Sequence, residues 1–69
     1  MSEVLCNVSG RIKEIRIKAG QMITEDDEVA IIETLKSDRA VCGVAGVVDE
    51  IRVSVGDVVR VGDVIAVVL

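Results

Sequence analysis

The 69-residue chain has no histidine, no proline, and no phenylalanine, tyrosine or tryptophan. Each absence excludes something. Without histidine there is no histidine-based triad, general base or metal ligand. Without aromatic rings the core must be aliphatic, and a 51% hydrophobic content can supply it from Val, Ile, Leu and Ala. Valine and isoleucine are stiff at χ1 and suit pleated sheet better than helix. Basic residues are scarce, 8 Lys and Arg against 12 Asp and Glu, for a net charge of −4. That balance opposes nucleic-acid binding, which needs clustered cations. No apolar run approaches the roughly 18 residues of a membrane span. The N-terminal MSEVLCNVSG has no basic region leading into a long apolar one, so no signal peptide is read and a cytoplasmic location is expected.

Cysteine is also sparse. Cys6 and Cys42 lack the CxxC spacing of a zinc or redox site. They are expected to be two buried free thiols acting as small hydrophobes. A chain this short buries only about 60% of the surface its unfolded form exposes. One domain over residues 1–69 is therefore expected, with no further core to build.

What is present is a repeat. Shifted by 36 residues, CNVSGRIKEIRIKAGQMITEDDEVAIIE lies over CGVAGVVDEIRVSVGDVVRVGDVIAVVL. Cys6 meets Cys42, Gly10 meets Gly46, and Glu14-Ile15-Arg16 meets Glu50-Ile51-Arg52. Gly20 meets Gly56, Asp27 meets Asp63, and Ala30 meets Ala66. Period-two alternation at Ile15 and Ile17, and at Ile51, Val53 and Val55, predicts strands with one wet face. EVAIIE and DVIAVVL are nearly continuous apolar runs and read as longer strands. Gly10, Gly20, Gly46 and Gly56 are expected at repeat-equivalent turns. No stretch sustains a 3.6-residue period, so no helix is expected.

The predicted fold is all-β: two four-stranded antiparallel sheets, related by a pseudo-twofold, closing into a flattened barrel or sandwich. Each half covers the apolar face of the other, so unfolding should be concerted. The two copies meet at Thr34–Asp38, which makes the hairpin carrying Lys36 the unique point of the molecule. The chain ends should lie at the opposite end.

From the hairpin alone, ETLKSD is either a solvated turn or a covalent attachment point at Lys36. The acidic run Glu25-Asp26-Asp27-Glu28 could suggest a cation site. Its repeat partner keeps only Asp63, so a solvated turn is the better reading. Arg11, Lys13, Arg16 and Lys18 read as the wet face of a strand, open to an acidic partner surface. No phosphate-binding glycine motif is present.

Over nearly its whole length the sequence resembles the biotinyl/lipoyl attachment domains. The resemblance rests on the quasi-repeat, on VSGRIKEIRIKAGQMI, on the central ETLKS and on GVVDEIRVSVGDVVRVGDVIAVV. It implies a non-catalytic carrier with a flattened-barrel fold, the barrel-sandwich hybrid. It implies that Lys36 is joined by an amide bond to biotin, or alternatively to lipoate. Glu33, Thr34, Leu35 and Ser37 would form the hairpin that a biotin protein ligase or lipoate ligase recognises. The modified side chain would swing between biotin carboxylase and carboxyltransferase sites, or between 2-oxoacid dehydrogenase components. Biotin carriers usually have methionine on both sides of the lysine, where this chain has Leu35 and Ser37. Glu33, Thr34 and Ser37 agree with lipoyl patterns. The segment from Lys36 to Gly46 is about one residue shorter than is typical. With Met1 at one end and Leu69 at the other, the chain resembles the small stand-alone attachment proteins and is expected to be a monomer. An unmodified binding or assembly module is the remaining alternative.

Overall fold

A computed structural model describes residues 1–69. It is built from strands β1 (Ser2–Leu5), β2 (Gly10–Ile15), β3 (Met22–Ile23), β4 (Glu28–Glu33), β5 (Asp38–Cys42), β6 (Gly46–Ile51), β7 (Val58–Val59) and β8 (Val64–Val68). One sheet has the order β1-β8-β6-β3, the other β5-β4-β2-β7, and every pairing is antiparallel. There is no helix, as β-branched composition requires.

The pseudo-twofold is visible in this order. β2 and β6, and β3 and β7, are related by the 36-residue shift. Exchanging the halves turns one sheet into the other. Each sheet therefore takes two strands from each half, rather than each half making a sheet of its own. Each half keeps only one strand pair of its own, β2 with β4 or β6 with β8, and the other half completes both sheets and the core between them.

The core lies between the sheets and is wholly aliphatic apart from Cys6. Ile12, Ile23, Ile32 and Ile65 are its largest fully buried side chains, each at most 1% exposed, packed with Val29, Val48 and Val68. β4 and β8 sit inside their sheets and supply residues such as Ala30 and Ala66 with no exposure at all. This is why the two longest apolar runs became those strands.

Several details depart from the sequence reading. The strands expected around Ile15–Ile17 and Ile51–Val55 begin earlier and end at Ile15 and Ile51. Beyond Ile15 the chain stays apolar on one face, and Ile17 is buried. The Lys18 N–H, however, donates to the Gln21 side chain, 3.0 Å away, instead of joining a ladder. Cys6 is buried but Cys42 is exposed, so only one of the two thiols is a core residue. The reason is a register offset. Arg39 pairs with Ile32 as Ser2 pairs with Val68, and Gly43 N–H donates to Asp27 as Cys6 N–H donates to Asp63. Cys6 is thus structurally equivalent to Gly43, not to Cys42. The missing residue lies in the connection to β6, Gly43 to Ala45, against Cys6 to Ser9 before β2. The short segment noted in the sequence therefore leaves the hairpin intact.

Gly10 and Gly46 are not turn residues. They open β2 and β6, and a Cβ on Gly10 would sit 2.3 Å from the Glu33 carbonyl oxygen and 2.8 Å from Ile32 Cγ2. Gly20, by contrast, occupies a turn with φ of 88° and open space around it. Gly20→Ala should cost about 1–2 kcal/mol, the penalty of a left-handed backbone. Gly10→Ala should cost about 3 kcal/mol, since it overpacks against backbone that cannot swing away. Urea midpoints followed by circular dichroism test this ordering. Equal losses would mean that β2 and β4 do not approach as closely as described.

Candidate functional site

The tip of the β4–β5 hairpin is made by Thr34, Leu35, Lys36 and Ser37, between Glu33 and Asp38, which face each other in register. No residue of the tip has positive φ. It is therefore not one of the I′ or II′ turns that two-residue hairpins favour. Thr34 supplies the closure instead. Its N–H donates to the Ser37 carbonyl at 3.1 Å, and its hydroxyl donates to the same carbonyl at 2.6 Å. That hydroxyl also accepts the Ser37 N–H at 3.2 Å and the Lys36 N–H at 3.3 Å. One donor and two lone pairs are all used. Thr34 is half-buried beneath the turn, while Leu35, Lys36 and Ser37 are exposed.

Lys36 is held by its backbone and left free at its side chain. Its ammonium takes part in none of the four ion pairs of the molecule. Leu35 projects entirely into solvent, at 106% relative exposure. All five residues singled out from the sequence, Glu33, Thr34, Leu35, Lys36 and Ser37, come together here. Thr34 acts as the brace of the turn, a role open to any Thr or Ser that can bond its own backbone nearby.

Sequence reasoning missed the foot of the hairpin. Lys13 is the extra residue of a β-bulge between Ile12 and Glu14. Its Nζ reaches across β4 and donates to Asp38 Oδ2 at 2.6 Å on β5. This strap joins β2 to the far arm of the hairpin. The hydrogen bond to Asp38, and then the Asp38 charge, raise the Lys13 pKa above the ordinary lysine value. A raised pKa leaves less free amine at any pH below it. Lys13 should therefore react more slowly than Lys18 with a limiting acetylating reagent in mildly alkaline buffer. Asp38→Asn should remove the difference. Peptide mass spectrometry reads both, and equal labelling of Lys13 and Lys18 in the unaltered chain would rule the strap out.

Two acids of the run Glu25–Glu28 have partners. Asp27 Oδ2 accepts the Thr24 N–H at 2.8 Å, and Glu28 pairs with Arg16 at 2.6 Å. Arg16 also bonds Glu14, and this hydrogen bond is the main cause of its raised pKa. The acidic run is a solvated turn in which the Asp27 and Glu28 carboxylates are engaged.

The molecule is an all-β barrel of two interlocked halves, with one braced hairpin presenting one lysine that takes part in no ion pair. Residues 4–68 match the family described as biotin-requiring enzyme, the biotin/lipoyl attachment family, and the chain belongs to it. Domains of this family serve as carriers. The fold is similar to part of the crystal structure of urea carboxylase from Kluyveromyces lactis, with a TM-score of 0.87 and 29% identity. That match covers 99% of this chain but 6% of the carboxylase chain. No curated protein sequence matches the chain.

Proposed function

We propose that this protein carries biotin on Lys36 and serves a carboxylase. The observation that carries the reading is the position of Lys36. It is an exposed, unpaired amine on a turn whose shape is fixed by Thr34. A ligase must enclose the acceptor lysine, so the lysine must stand clear of the barrel on a turn that does not yield. The neutral ε-amine would attack the acyl carbon of biotin activated by the ligase as an acyl-adenylate, form the amide as the bond to AMP breaks, and lose a proton. Bound there, biotin would supply a carrier for a carboxyl group. The chain's own contribution is a rigid mount that raises the local concentration of that group at each active site in turn.

The family's description and the carboxylase among its structural likenesses favour biotin. A lipoyl carrier is the second reading, supported by Glu33, Thr34 and the small Ser37, which agree with lipoyl patterns. The chain is co-expressed with a biotin protein ligase and, separately, with a lipoate ligase, and its intact mass is measured. Biotin and lipoyl additions differ in mass, so each reading has its own signal. An unchanged mass with both ligases would reject the carrier reading.

A further inference from the structure

The two arms of the hairpin are held unequally. β4 lies between β2 and β5 and has ladder partners on both sides, whereas β5 is an edge strand paired with β4 alone. The far arm, β5, also carries the anchor of the tip. Asp38 opens β5 directly after Ser37, and the Ser37 carbonyl accepts both the N–H and the hydroxyl of Thr34. A shift of Asp38 therefore moves that carbonyl, and through the Thr34 hydroxyl it moves the backbone of Lys36.

The strap from Lys13 gives β5 a second attachment, to the inside strand β2. It is the one side-chain hydrogen bond made by any residue of β5. The pseudo-twofold shows that the fold does not require it. The pair of Arg16 with Glu14 at 2.9 Å recurs as Arg52 with Glu50 at 3.2 Å. The bulge recurs as well, with Asp49 in the place of Lys13, but Asp49 takes part in no ion pair. Met1 stands in the place of Asp38, since Arg39 corresponds to Ser2. Nor is the strap a large source of stability. Its side chains are 52% and 44% exposed, and exposed pairs contribute little. Its effect is local: it ties the start of the far arm to a strand that has neighbours on both sides.

We propose that Lys13 and Asp38 are positioning residues for the loading of Lys36. They hold the far arm so that the braced tip meets the ligase in one orientation, and the proposal rests on the reading of Lys36 as the acceptor. A tip ordered in advance loses less conformational freedom on entering the pocket. The gain therefore falls on KM more than on kcat.

The test compares K13M, D38A and K13M/D38A with K13R, which keeps a donor for Asp38. Far-UV circular dichroism checks that each variant is folded, and Asp49 shows that the bulge forms without lysine. The kinetics use whichever of the two ligases modifies the unaltered chain, with ATP, magnesium and the free cofactor. K13M and D38A should each lower kcat/KM about threefold, mainly through KM. The double variant should lose no more than either single one, because both remove the same bond. K13R should stay near the unaltered chain. Amide NMR relaxation is measured on the unloaded chain without ligase. The order parameters of Lys36 and Ser37 should fall in K13M and D38A from about 0.85, the rigid-backbone value, toward about 0.6, while those of β8 stay unchanged. Additive losses would show that the ligase reads the two side chains separately, and would overturn the proposal. Unchanged kinetics, or unchanged order parameters at the tip, would overturn it as well. A chain that neither ligase modifies would remove the reading of Lys36, and the role in loading with it, whatever the order parameters show.

Discussion

Lys36→Arg should leave a folded protein that neither ligase modifies. The side chain at this position makes no contact that the fold uses, so the change in stability should be within about 0.5 kcal/mol, as for surface sites generally. Arginine keeps the positive charge, and with it any electrostatic docking. Its guanidinium stays protonated and offers no nucleophilic amine. Loss of modification would then report chemistry and not encounter. Only Lys13 and Lys18 remain as acceptors. Lys13 is bound to Asp38 with a raised pKa. Lys18 lies in the turn after β2, away from the braced tip. Intact mass after exhaustive ligase treatment decides the matter. Modification that persists in Lys36→Arg would move the site to one of those two lysines and undo the proposed function.

The repeat made the pseudo-twofold legible, because Glu14-Ile15-Arg16 and Glu50-Ile51-Arg52 are identical and frame equivalent strands. The apolar runs at Val29–Ile32 and Val64–Val68 were legible because an inside strand needs burial along most of its length. The bulges at Lys13 and Asp49 were not. A bulge is decided by the twist and register of the partner strand, and neither leaves a mark on one strand's composition. The same holds for Cys42. Its match with Cys6 in the alignment is real as letters, but a connection one residue shorter before β6 shifts it to the surface. Period two extended the strand to Ile17 correctly for burial and wrongly for hydrogen bonding, since a side chain can still face the core after the ladder has ended. At the hairpin tip, the exposure of Lys36 was readable from the break between repeats. The strap from Lys13 to Asp38 was not, because it depends on the bulge.

Ile32→Ala should be the most destabilising single change in the chain's hydrophobic interior, and it should abolish the site as well. Ile32 has no exposure and sits on β4, between Ile12 of β2 and β5. Truncating a buried isoleucine costs about 2–5 kcal/mol, since the walls of the cavity relax only in part. A domain of this size is stable by roughly 0.05–0.15 kcal/mol per residue, or about 3–10 kcal/mol in all. The loss is therefore a large share of the total, and the variant should be partly unfolded at moderate temperature. Because each sheet draws strands from both halves, no half can survive alone, and the urea transition should remain single. With no aromatic residue, the chain gives no intrinsic fluorescence signal from tyrosine or tryptophan, so far-UV circular dichroism is the probe. Ligase modification of Lys36, measured along the same urea series with a ligase that tolerates it, should fall together with the β signal. A lysine on an unfolded segment lacks the brace from Thr34 that presents it. Two separate transitions would show that the halves are independent. Full modification of unfolded Ile32→Ala would show that the ligase reads the local sequence ETLKS without its fold.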